Sequence, residues 1–80
     1  MPEIVRLGNC KICIYVRGEH PLPHFHVRGP DSNGSVVIAT LELLAGSVSR
    51  RDFREVRDWA SLPRNMALLI EVWRRLHERE

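Results

Sequence analysis

Apolar and polar residues alternate along the first half of the chain and recur at helical spacing along the second. Glu3-Ile4-Val5-Arg6-Leu7 reads as a short strand closed by the turn pair Gly8-Asn9. Residues 11–17 make a clearer strand, with Ile12, Ile14 and Val16 on one face and Lys11, Cys13, Tyr15 and Arg17 on the other. A proline-containing loop over residues 18–23 leads into a third strand, residues 24–28. There Phe25 and Val27 point one way, and His24, His26 and Arg28 the other. Gly29-Pro30-Asp31-Ser32-Asn33-Gly34 consists almost wholly of turn-forming residues and predicts a hairpin to residues 35–40. Residues 41–44 extend the sheet until Gly46 breaks it.

From Ser49 onward the period changes. Ser49 is an N-cap with Asp52 three residues on, a weak capping box. Phe53, Val56 and Ala60 share a stripe with Trp59 at its edge. Pro63 suits the first turn of a second helix, whose Met66, Leu69, Ile70, Trp73 and Leu76 recur as a core-facing side. Charges at i, i+4 pair Arg51 with Glu55, Arg54 with Asp58 and Glu71 with Arg75. The predicted fold is α+β: a small antiparallel three- to four-stranded β-meander (residues 1–46) followed by a C-terminal helical hairpin (residues 47–80) packed on one face. The helices should cover Ile12, Ile14, Val16, Phe25 and Val27. The face with Cys13, Tyr15, His24 and His26 is then open to water, a ligand or a second subunit.

Composition narrows this little. Eighty residues suffice for one core and a single domain, 1–80. A net charge of +2 is too small to mark a nucleic-acid binder, so contact with nucleic acid is expected to be weak. Lys11 is the only lysine; the other cations are arginines, which favour bidentate contacts to carboxylate or phosphate. No apolar run is long enough to cross a bilayer, and Met1-Pro2-Glu3 does not begin a signal peptide. The expectation is a cytoplasmic protein with reduced thiols.

The informative segment is His20-Pro21-Leu22-Pro23-His24-Phe25-His26. Strand residues i and i+2 share a face, so the imidazoles of His24 and His26 can converge on one ion, with His20 as third ligand from the loop. Three histidines and an open fourth position suit a catalytic rather than a structural zinc ion, or another divalent transition metal. The plainer alternative is that these histidines only hydrogen-bond or stack on Tyr15. A second alternative is general acid–base work on a phosphodiester with Arg28 alongside, since imidazole titrates near neutrality. Tyr15, Arg28, Arg50 and Arg51 are the weaker candidates for ligand or phosphate contact; Arg50 and Arg51 lack an acidic residue at i−4. Cys10-Lys11-Ile12-Cys13 matches C-x-x-C, but strand positions i and i+3 face opposite sides, and inert thiols are the better reading. Trp59 and Trp73 read as helix packing, and His77 as a cation suited to a helix C-terminus.

The start Met1-Pro2-Glu3-Ile4, the segment Ile14-Tyr15, the block from Glu19 to Val27, Leu41-Glu42 and the pair Trp59 and Trp73 resemble the bacterial family catalogued as domain of unknown function 4160. The signature of that family is an acidic residue, His, any residue, Pro-Pro, His, any residue, His. Glu19, His20, Pro23, His24 and His26 match it; Leu22 replaces the first proline of the pair. The resemblance implies no activity. It implies a small gene paired with another, as in toxin–antitoxin units, and hence a protein partner encoded nearby. The sequence therefore reads as a small binding or regulatory domain with the histidine cluster as its site. The alternatives are a small metal-dependent hydrolase or ribonuclease, and a structural module that homodimerises through a face bearing Cys13, Tyr15, Val37 and Ala39.

Overall fold

A computed structural model of the chain describes residues 3–15 and 22–77. Five strands form one antiparallel sheet in chain order: β1 (Glu3–Leu7), β2 (Cys10–Cys13), β3 (His24–Gly29), β4 (Ser32–Val37) and β5 (Leu43–Ser47). Two helices follow, α1 (Arg50–Ala60) and α2 (Pro63–His77). The α+β class is as expected, but the sheet has five strands rather than three or four.

The extra strand arises at a reversal that alternation does not reveal. Leu41 adopts a positive φ of 61°. Its N–H donates to the Val37 carbonyl at 2.8 Å, and the Val37 N–H donates to the Glu42 carbonyl at 2.9 Å. The chain thus doubles back into β5, a separate strand that runs through Gly46, where residues 41–44 were expected to extend the sheet only as far as that glycine. Gly46 does not break the sheet. It lies inside β5, opposite Gly34, with a φ of 76°. A Cβ there would run into the Asn33 carbonyl oxygen, so the glycine permits close backbone approach. The hairpin between β3 and β4 is also tighter than the run of turn residues implied. Gly29 pairs with Ser32, which leaves only Pro30 and Asp31 as loop. β2 ends at Cys13 rather than at Arg17; residues 16–21, including Val16 and Arg17, lie outside the described residues.

The core follows the predicted parity. Cys10, Ile12, Ile14, Phe25, Val27, Val36 and Ile38 from the sheet side pack with Val56 and Ala60 of α1 and Leu69 of α2. Phe53, Trp59, Met66, Trp73 and Leu76 surround this cluster half-buried, as their spacing predicts. Ile70 departs from prediction: it is 43% exposed, and Val72 packs on the core instead. Ile70 itself lines a cleft with Pro23, Ile38, Ala39 and Trp73.

The start of α1 is fastened to the sheet by a relay. Ser49 is the N-cap, its hydroxyl accepting from the Asp52 N–H at 3.1 Å. In a capping box the acidic side chain would take the N-cap N–H directly. Here the Ser49 N–H donates to Ser32 Oγ at 3.0 Å, and Ser32 Oγ donates to Asp52 Oδ2 at 2.5 Å. Ser32 opens β4 and is buried, so the expected box closes through a residue 20 positions away from Asp52.

The helix charges only partly pair as expected. Arg75 Nε meets Glu71 Oε2 at 3.1 Å. Among the described residues, Arg51 with Glu55 and Arg54 with Asp58 do not form ion pairs. Glu55 turns inward instead, its carboxylate occupying space that a side chain on Gly8 would fill.

Candidate functional site

The face of β3 that carries His24 and His26 forms a row of rings. His24 and His26 are two apart on the strand, and their ring centroids lie 5.2 Å apart at 65°. Tyr15 stands 4.8 Å from His26 in an edge contact. At the other end Trp73 of α2 lies 5.2 Å from His24, and His77 stacks on Trp73 at 3.8 Å. Arg28, two residues beyond His26, holds its guanidinium carbon 5.9 Å from the centre of the Tyr15 ring. The segment that follows β2, β3 itself and α2 therefore each supply part of one continuous surface.

The face is less open than alternation suggests. His24 is 6% exposed and Cys13 fully buried, and Val37 opposite His24 is also buried. Trp73 packs both on the core and against His24, closing the sheet at the start of β3. Tyr15 and His26 are half-buried, and Ala39 is exposed. The pair of tryptophans was expected to serve packing alone. Trp73 also walls the candidate site, which no local pattern signals, because the contact joins residues 49 positions apart.

Each polar group in the row has a defined environment. His24 Nδ1 lies 2.7 Å from the Leu22 carbonyl oxygen. A carbonyl only accepts, so Nδ1 carries a proton, and in the neutral ring the lone pair is then at Nε2. His26 Nδ1 is 3.4 Å from Ser35 Oγ on the neighbouring strand. Burial first, then the proximity of His24 and Arg28, lowers the pKa of His26 below the usual 6.5. It is thus a neutral imidazole at pH 7. Burial, helped by a hydrogen bond with the Cys13 side chain, raises the Tyr15 phenol above its usual 10, against the pull of Arg28. Tyr15 therefore keeps its proton. His77 caps α2, Nδ1 donating to the Trp73 carbonyl at 2.9 Å, in keeping with its place at the helix C-terminus.

The other sequence candidates distribute unevenly. His20 lies outside the described residues. Arg28 joins the histidine row, whereas Arg50 and Arg51 are exposed at the start of α1, the helix packed on the opposite face of the sheet. Arg50 instead lines a cleft of about 550 Å³ with Phe53, Arg54, Arg57 and Asp58. The three arginines do not make one surface. Cys10 and Cys13 are buried free thiols on opposite faces, Cys10 in the helix-covered core and Cys13 beside Tyr15. Geometry thus rules out a joint C-x-x-C site. Sequence reasoning missed what surrounds Cys10: α1 brings Asp52 and Glu55 against it.

Fold and site together define a small α+β domain whose helical hairpin packs on the face of Phe25 and Val27, while Trp73 of α2 also closes over the histidine row on the other. The chain matches the family described as Domain of unknown function (DUF4160) over residues 9–74, and it belongs to that family. Comparison with curated proteins finds no match. Comparison with solved structures finds none either. Among the described residues no helix is long and apolar enough to cross a membrane.

Proposed function

We propose that this domain is a small binding and regulatory module in which His24 and His26 hold a divalent transition metal, Zn²⁺ or Ni²⁺. The observation that carries the reading is the anchoring of His24 Nδ1 on the Leu22 carbonyl at 2.7 Å. Metal-ligating histidines characteristically donate their second ring nitrogen to a carbonyl or carboxylate, which fixes both tautomer and ring direction. His26, neutral at pH 7 and 5.2 Å away between centroids, supplies the second imidazole. His20 is the third ligand that the sequence offers, and the remaining positions go to water or an exogenous ligand. The partner proposed for this module is a protein encoded nearby, with metal loading as the signal it reads.

Calorimetry with Ni²⁺ and Zn²⁺ tests this in a Cys10→Ser background, so that the thiol contributes nothing. One ion should bind with a Kd in the micromolar range, weakening as pH falls through the histidine range because protons compete for the ligands. The double variant His24→Ala, His26→Ala should show no heat. Equal heat in both proteins, or none in either, defeats the proposal. Gel filtration after co-expression with the neighbouring gene, with and without chelator, reads the partner.

A further inference from the structure

A second group of side chains converges away from the histidine row, between β2 and the first two turns of α1. Cys10 and Asp52 are buried and Glu55 is half-buried. The Cys10 sulfur and one carboxylate oxygen from each acid all lie within 4.8 Å of one another. Asp52 is 0% exposed; Oδ2 is satisfied by Ser32, but Oδ1 is buried with no hydrogen-bond partner. Glu55 Oε1 is likewise buried and unpartnered. Two carboxylate oxygens without donors are costly inside a protein, and a third electron-rich atom beside them adds to that cost.

We infer that Cys10, Asp52 and Glu55 form a second cation site, suited to a borderline-soft divalent ion such as Zn²⁺. A sulfur ligand argues against Mg²⁺ and Ca²⁺, which take oxygen, while carboxylates are ordinary partners for Zn²⁺. Metal–ligand distances of about 2.3 Å to sulfur and about 2.0–2.2 Å to oxygen bring tetrahedral donors to roughly 3.5 Å of one another. Drawing in donors already within 4.8 Å requires only small side-chain movements. The absence of a side chain at Gly8 lets Glu55 turn inward here, since a Cβ would stand 2.7 Å from Glu55 Oε1. A thiol S–H donates to one oxygen at a time, whereas one dication can meet all three electron-rich atoms at once. The positive end of α1, where Asp52 sits in the first turn, offsets part of the charge of three anionic ligands. Burial, with Asp52 and Glu55 beside it, pushes the Cys10 thiol up to about 11, so metal binding must release its proton.

Co²⁺ substitution tests the site on the full chain. Coordinated thiolate gives a charge-transfer absorption in the near ultraviolet that imidazole does not. The expected result is such a band, saturating at about one equivalent per chain. It should disappear in Cys10→Ser, and binding should weaken by about tenfold or more in Glu55→Gln. It should persist in the His24→Ala, His26→Ala variant, which separates this site from the histidine row. Far-ultraviolet circular dichroism checks that each variant folds, and the half-buried Glu55→Gln keeps the test available if Cys10→Ser does not. Absence of a thiolate band, or a band and affinity unchanged by Cys10→Ser and Glu55→Gln, overturns the assignment.

Discussion

Phe25 and His24 are neighbours on β3 and are almost equally buried, at 0% and 6% exposure, yet the two faces they enter are built on different principles. Phe25 lies opposite Val36 in a core cluster shared with Ile12, Val56 of α1 and Leu69 of α2, where volume and shape are the main requirements. His24 meets Trp73, His26 and a carbonyl that fixes which nitrogen holds the proton. Around Phe25 a side chain is replaceable by any apolar group of similar size. On the ring-lined face burial imposes a partner, a tautomer and a charge state. That difference makes the surroundings of Phe25 a scaffold and those of His24 a candidate site.

The comparison predicts that the faces separate stability from binding. Phe25→Ala should lower unfolding stability by about 3–5 kcal/mol, a large part of the roughly 4–12 kcal/mol expected for a chain of this size. His26→Ala should cost about 1 kcal/mol or less while removing metal. Urea titration of both variants is decisive: similar losses would erase the distinction between the faces. Next in size is Gly46→Ala, which should cost about 1–3 kcal/mol through positive φ and the clash with Asn33, with no effect on metal binding by calorimetry.

Smaller effects probe the joint between the layers. Ser32→Ala leaves the Ser49 N–H and Asp52 Oδ2 without their shared partner and should cost about 2 kcal/mol. Ser49→Ala removes a single N-cap bond and should cost about 1 kcal/mol. Thermal melts that reversed this order would show that the relay through Ser32 does not hold α1. The smallest effect is a pH dependence from the ring face. The folded pKa of His26 is depressed below 6.5, so the unfolded state binds more protons between the two values. Its contribution to stability is then full above about pH 6.5 and is lost as pH falls toward the folded pKa. Wild type should lose stability over that window more steeply than His26→Gln, measured by urea midpoints at a series of pH values.

Much of the architecture is already present in local pattern. Parity along residues 11–15 and 24–28 placed Ile12, Ile14, Phe25 and Val27 on the core face, because side chains alternate strictly in a strand. Ser49, Asp52 and Pro63 marked the helix starts, since capping depends on residues close in sequence. The pairing of His24 with His26 follows from the same two-residue repeat. What escaped was non-local. The reversal at Leu41 and the use of Gly46 inside β5 depend on how close two backbones pass, which no single strand encodes. Glu55 turned from its expected partner Arg51 toward Cys10, and Trp73 closed over His24, because packing α1 and α2 onto the sheet decides which neighbours those side chains meet. Sequence by itself determined the periods, the caps and the residues able to ligate. Only tertiary structure decided which of them stand together, since contacts between distant segments form when apolar faces dock and carry their polar neighbours with them.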